Sequence, residues 1–239
     1  MSETDKEAAL LEALRGVTTA SLTTVLLKKG LRTVWMRGAF ALSPGQPRVA
    51  GRAFTLRFVP AREDLANPAA WSSPTSTRAA IEAMPAGVIC VTGAMGVSDA
   101  GILGDILCAR MQQRGVTALI TDGVVRDGAG VRETGLPVWC NGVAASPAVA
   151  SLSFVGWQEP VGCGGVAVFP GDMIVADGDG AVVIPAAMVE AVTAEAVELE
   201  TFEAWVLARV QAGQALPGLY PANADTLAAY EAHRRGQSI

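Results

Sequence analysis

The stretch Gly101-Ile102-Leu103-Gly104-Asp105-Ile106-Leu107-Cys108-Ala109-Arg110-Met111-Gln112-Gln113-Arg114-Gly115-Val116-Thr117-Ala118-Leu119-Ile120-Thr121-Asp122-Gly123-Val124-Val125-Arg126-Asp127 decides how this chain is read. Glycines open it, and apolar spacing over residues 102–114 predicts a helix. Residues 117–121 form an apolar, β-prone run, hence a strand, and Asp122-Gly123 closes it with a turn. One acid, Asp105, falls at the helix start. An arginine and a second acid, Arg126 and Asp127, follow the strand.

Those parts can hold an anion and a hard metal ion side by side. Backbone amides at Gly104, Asp105, Ile106 and Leu107 would be unpaired and would meet a carboxylate at the positive end of the helix dipole. Arg126 can grip the same carboxylate with two parallel hydrogen bonds. Asp127 can ligate Mg²⁺, which prefers oxygen donors and retains waters. Asp105 can hold a metal-bound water or move a proton. Together they would take a 2-oxo acid. The plain alternative is an ordinary acidic helix start with a surface Arg–Asp pair. Asp122 reads as a structural turn residue.

Working outward, residues 4–15 and 18–29 carry helical apolar spacing, the second stopped by Gly30. Residues 49–59 read as one or two strands ended by Pro60. Residues 60–74, with Pro60, Pro68 and Pro74, read as an irregular loop long enough to suggest a role. A short helix is expected over 76–84, a buried strand over 87–91 and another strand over 137–140. The second half is strand-rich: 166–169, 173–176 and 181–184, the last two joined by a tight turn at Asp177-Gly178-Asp179-Gly180. Pro185 opens a long helix over 186–211. Residues 1–205 are expected to form one α/β domain and 206–239 a helical arm. This order suits a layered sandwich better than a doubly wound sheet.

Composition removes several function classes. The chain has 239 residues, 51% of them hydrophobic, and a net charge of −5. That is ample for one core and the wrong sign for nucleic acid. No apolar run approaches the roughly 18 residues of a membrane span. The acidic, polar N-terminus is no secretory signal, so a cytoplasmic location is expected. The one histidine, His233, argues against a Ser-His-Asp or Cys-His system and rules out a zinc site built on several histidines. The only lysines are Lys6, Lys28 and Lys29, none in a setting that would favour a Schiff base. Cys90, Cys108, Cys140 and Cys163 read as small buried hydrophobes, with Cys163 alone in an open loop.

The chain resembles the RraA-like family, named for a regulator of ribonuclease E and including the 4-hydroxy-4-methyl-2-oxoglutarate/4-carboxy-4-hydroxy-2-oxoadipate aldolases. The family signature, an aspartate, twenty residues, then Arg-Asp, is met by Asp105, Arg126 and Asp127. Thr19-Ala20-Ser21-Leu22, Gly51-Arg52-Ala53-Phe54-Thr55, Pro170-Gly171-Asp172 and Ala176-Asp177-Gly178-Asp179-Gly180 also match.

The resemblance implies a three-layer β/β/α swivelling-domain-like sandwich, here with a C-terminal helical extension. It also implies homotrimers or hexamers with active sites at subunit contacts. The implied reaction is a retro-aldol cleavage that depends on Mg²⁺ or Mn²⁺ and releases pyruvate, with oxaloacetate decarboxylation as a side activity. In that scheme Gly104 to Leu107 and Arg126 bind substrate, Asp127 holds the metal directly, and Asp105 serves it through water. A glutamate on a neighbouring subunit's C-terminal helix completes the site; counting from Pro185 gives Glu200, then Glu198. The alternatives are a non-catalytic regulator of ribonuclease E acting by protein contact, or a lyase on a sugar-derived 2-oxo acid. Arg78, Arg52, Arg57 and Trp71 are candidates for the distal pocket against plain surface or packing roles, and Trp157, Trp205 and Phe202 for a subunit interface.

Overall fold

A computed structural model of the chain describes residues 2–236; Met1 and residues 237–239, the extreme ends of the two expected spans, lie outside the described residues. Two helices come first, α1 (Glu3–Arg15) and α2 (Thr19–Lys28), then β1 (Phe40–Ala41) and the long β2 (Val49–Pro60). There follow α3 (Thr77–Ala83), β3 (Ile89–Gly93), β4 (Ala100–Gly101), α4 (Asp105–Gln113), β5 (Ala118–Thr121), α5 (Gly128–Glu133) and β6 (Val138–Cys140). The second half holds β7 (Ser146–Pro147), β8 (Leu152–Trp157), β9 (Val161–Cys163), β10 (Val166–Val168), β11 (Met173–Asp177) and β12 (Gly180–Ile184). Helices α6 (Val189–Gln211) and α7 (Ala224–Arg234) end the chain.

The main sheet runs β1-β6-β5-β3-β2-β11-β12, with β8 also paired to β2. Its ends approach each other, since β1 lies against β12. The four strands β2, β3, β5 and β6 are parallel, and β11 and β12 add antiparallel. Alternation along each strand feeds two cores, one per face. Ile89, Val91, Ala118, Ile120 and Trp139 point into a core shared with α1, α2, α6 and the β9–β10 hairpin. Cys90, Leu119, Val138 and Cys140 point the other way, into a core shared with α3, α4 and α5. The layered sandwich expected from the sequence is therefore the fold.

Several sequence expectations need correction. The helix expected from residue 102 begins at Asp105, because 101–103 is drawn out as extended chain beside 124–126. Strands β8 and β9 and helix α5 were not anticipated. Gly128-Ala129-Gly130 looks like a helix breaker, yet α5 packs so close to α4 that Cβ atoms would be excluded at Gly130. Cys163 sits in β9 fully buried, not in an open loop. Burial pushes the Cys90 and Cys108 thiols up to about 12, so neither is a nucleophile near neutrality. Helix α6 runs unbroken across residues 205 and 206, and the chain beyond it folds back so that Trp205 and Val206 bury against Leu219 and Tyr230. Trp205 and Phe202 are thus packed within the chain, as is Trp157 against Phe154. No single helix among the described residues is long and apolar enough to cross a membrane.

Three buried aspartates fasten the loops around this framework. Asp122 accepts hydrogen bonds from the amides of Ala94, Gly96 and Gly164 at 2.8, 3.2 and 3.0 Å. Asp172 accepts from Phe169 and Ala186, and Asp177 from Thr19 and Asp179. Each carboxylate replaces several lost water contacts with charge-assisted bonds to backbone. The Thr19, Asp172 and Asp177 positions that carry the family resemblance therefore serve the fold.

Candidate active site

The site is built by backbone before any side chain contributes. Residues 101–103 run parallel to 124–126: Gly101 bridges Val124, the Ile102 amide donates to the Val124 carbonyl, and the Arg126 amide donates to the Leu103 carbonyl at 2.9 Å. This short ladder places the start of α4 beside the turn after β5, outside the carboxyl ends of the parallel strands, where open α/β sheets bind ligands. It demands a glycine at 101, because a Cβ there would lie 2.5 Å from the Arg126 nitrogen.

On this frame the four expected groups converge. The first bond within α4 runs from the Cys108 amide to the Gly104 carbonyl, so the amides of Asp105, Ile106 and Leu107 have no partner inside the helix. Asp105 turns one carboxylate oxygen, Oδ1, onto the Ile106 amide at 2.7 Å. Its other oxygen lies over Gly130 of α5, 2.9 Å from where a Cβ would stand. Arg126 Nε donates to Asp127 Oδ2 at 3.1 Å. Both side chains are partly exposed, 38% and 45%, so the pair itself adds little stability.

Asp127 has φ 54° and ψ 43°, a left-handed conformation that aspartate tolerates better than most residues. It stands at the N-cap of α5 but caps nothing with its side chain. The carboxylate is turned instead toward Gly104, where a Cβ would meet Asp127 Oδ2 at 2.8 Å and Arg126 Cγ at 3.1 Å. The sequence could not show this turn.

These residues line one cavity of about 650 Å³. Its floor is Gly101 to Leu107 with Arg126 and Asp127; Phe58, Leu152 and Phe154 make an apolar wall. The segment between β2 and α3, including a 3₁₀ turn at Pro68–Ser72, supplies Leu65, Trp71 and Ser73. The irregular loop is thus part of the site. Of the four distal-pocket candidates, Arg78 and Trp71 line the cavity. Arg52 instead forms a bidentate pair with Glu7, and Arg57 pairs with Glu159.

The donor set suits a hard divalent cation. Asp127 and Asp105 supply oxygens on the cavity floor, and one or two carboxylates completed by water and substrate suffice for Mg²⁺. Among the described residues no group of three or more His, Cys, Asp or Glu side chains gathers as a metal cage. Glu200 lies elsewhere in this chain. Its Oε1 accepts from both the amide and the hydroxyl of Thr18 at 2.6 Å, at the start of α2. Burial raises its pKa, but those bonds outweigh burial and hold it below the usual glutamate range. Glu198 is tied to Tyr230 and Arg234.

The chain belongs to the RraA-like family: residues 11–183 match it under the description Aldolase/RraA. Over 110 residues it is 36% identical to a protein of Halalkalibacterium halodurans named "Putative 4-hydroxy-4-methyl-2-oxoglutarate aldolase", covering 45% of this chain and 50% of that one. The chain spans half or less of the length of the curated relatives it matches. The solved structure of Streptomyces coelicolor RraAS2, described as an unusual member of the RNase ES inhibitor RraA protein family, is 35% identical. Its TM-score is 0.77 over 84% of this chain and 98% of that one. An uncharacterized protein from Pseudomonas syringae pv. tomato is 26% identical, with a TM-score of 0.76 over 89% and 97%.

Proposed function

We propose that the protein is a divalent-metal-dependent carbon–carbon lyase that cleaves a 4-hydroxy-2-oxo acid and releases pyruvate, with oxaloacetate decarboxylation as a side reaction. One observation carries this: a guanidinium, the helix-start amides of Asp105 and Leu107 and two carboxylates meet on the floor of a single cavity. Among the described residues its lining includes neither lysine nor histidine, which favours a metal-assisted route over an imine.

Asp127, with Asp105 through water, would hold Mg²⁺ or Mn²⁺, and a neighbouring subunit's Glu200 would complete the shell in a homotrimer or hexamer. When bound, the cation would supply Lewis-acid polarisation of the 2-oxo group. Arg126 and the amides of Asp105 and Leu107 bind the substrate carboxylate and orient the 2-oxo group, the Ile106 amide being held by Asp105. The 4-hydroxyl proton passes through water to Asp105, the C3–C4 bond breaks with its electron pair passing to C3 and the 2-oxo group, and C4 leaves as a carbonyl. Asp105, through water, returns a proton to C3 and completes pyruvate.

The test is pyruvate release from 4-hydroxy-4-methyl-2-oxoglutarate and from oxaloacetate with Mg²⁺, with and without EDTA. Turnover that survives both chelation and Asp127→Asn would overturn the metal-dependent reading. A second reading, a non-catalytic regulator acting on a ribonuclease of the E type by protein contact, draws support from the 35% identity to RraAS2. Inhibition of such a ribonuclease with no pyruvate formed would favour it.

A further inference from the structure

The cavity is lined by two cations that come from different elements. Arg126 follows β5 on the floor, and Arg78 stands in the first turn of α3. The same lining is largely apolar, with Phe58, Trp71, Leu152 and Phe154 among it. The Arg78 guanidinium carbon lies 5.4 Å from the centre of the Trp71 ring, which steadies the side chain without neutralising it. Among the described residues Arg78 has no ion-pair partner, whereas Arg52, Arg57, Arg62 and Arg110 each have a glutamate or aspartate. The one carboxylate the 61–76 segment contributes to the cavity, Asp64, is held by Arg62 at 2.7 and 2.9 Å. No carboxylate of this wall therefore answers the charge of Arg78.

We infer that Arg78 is a specificity-determining residue: it receives the remote carboxylate of a dicarboxylate substrate whose 2-oxo acid end lies at Arg126. This rests on the lyase reading above. The ring of Trp71 orients the guanidinium, and the apolar wall covers the carbon chain between the two charged ends. A planar guanidinium matches a carboxylate with two hydrogen bonds, which a solvated lysine would not do as well.

The test uses unreactive ligands and needs no turnover. Binding of 2-oxoglutarate, with two carboxylates, and 2-oxopentanoate, with one, is measured by calorimetry in Mg²⁺ on the wild type, Arg78→Met and Arg78→Lys. The wild type should bind 2-oxoglutarate more tightly. Arg78→Met should weaken 2-oxoglutarate by about tenfold or more, the scale of one lost charge-assisted contact, and leave 2-oxopentanoate unchanged. Arg78→Lys should recover part of the loss. Equal weakening of both ligands, no weakening of either, or no binding of 2-oxoglutarate to the wild type overturns the inference. The lyase reading fails separately, by the absence of pyruvate from the 4-hydroxy acid. With active enzyme, Arg78→Met should raise KM for 4-hydroxy-4-methyl-2-oxoglutarate by a larger factor than KM for 4-hydroxy-2-oxopentanoate.

Discussion

Gly104→Ala separates the site from the fold. The added methyl would stand 2.8 Å from Asp127 Oδ2 and must force it back by about 0.6 Å to reach an ordinary 3.4 Å contact. The same methyl lies 3.1 Å from Arg126 Cγ, so both members of the pair move. The backbone does not object: Gly104 has φ −119° and ψ −173°, extended values that alanine adopts freely. Alanine is a poorer N-cap than glycine but restricts the unfolded chain, and these effects largely offset, within about 1 kcal/mol. For a domain this size that shifts Tm by only about 2–4 °C. Misplacing reacting groups by ~1 Å costs on the order of 100-fold. A shift of 0.6 Å should therefore lower kcat/KM by about 10- to 100-fold, or about 1.4–2.7 kcal/mol. The assay is Mg²⁺-dependent pyruvate release, with Tm from calorimetry on the same preparation. Unchanged kcat/KM would show that the Arg126–Asp127 arrangement has no part in the reaction. A Tm loss well beyond 4 °C would show that the backbone argument is wrong.

Asp127→Asn should fold like the wild type, because asparagine also tolerates the left-handed backbone, and should abolish Mg²⁺-dependent turnover. Asp127→Gly should raise stability by about 1 kcal/mol through relief of that conformation while losing the same activity, read from denaturation midpoints and turnover together. Gly101→Ala should behave oppositely to Gly104→Ala: its methyl meets backbone at 2.5 Å, so the expected result is a large drop in Tm before any question of catalysis. Hydrogen bonding to Arg52 holds the Glu7 carboxyl below its ordinary value of 4.5. A depressed acid stabilises the fold above its unfolded pKa and loses that contribution as pH falls through the folded value. Glu7→Gln should therefore cost stability at pH 7 and lose less than the wild type on acidification below about 4.5, by under about 1 kcal/mol for so exposed a pair.

The fold was legible where burial is one-sided or complete. Val49 to Phe58 is buried over nearly its whole length, Ile89 to Gly93 and Ala118 to Thr121 are wholly apolar or small, and Pro185 marks the approach of the long helix. The misses share a physical cause. Strand β9 contains only three residues, one of them glycine, and its register comes from its partner β10 rather than from its own side chains. Helix α5 has two glycines in its first three residues, a poor local signal. Tertiary contact overrides it, because the glycines admit Asp105 and Val143 at distances no larger residue allows. The early start assigned to α4 has the same origin: Ile102 and Leu103 fit an apolar helical face, but their backbone is spent on the ladder to residues 124–126.

The candidate site could be proposed from its charged residues, but not what aims them. Asp105, Arg126 and Asp127 could be named from chemistry, spacing and resemblance, yet the same spacing is equally compatible with a surface ion pair. What distinguishes the two is set by glycines. Without a side chain at 101 the two extended segments can touch, without one at 104 the Asp127 carboxylate can lie over the helix start, and without one at 130 Asp105 can be held between two helices. A surface pair would leave those positions free to carry side chains, since nothing would need the space. Here each missing Cβ is filled by a backbone or charged atom of the proposed machinery. The lyase reading therefore rests on three crowded absences as much as on three charges, and the arginine on the opposite segment extends the same argument to the far end of the substrate.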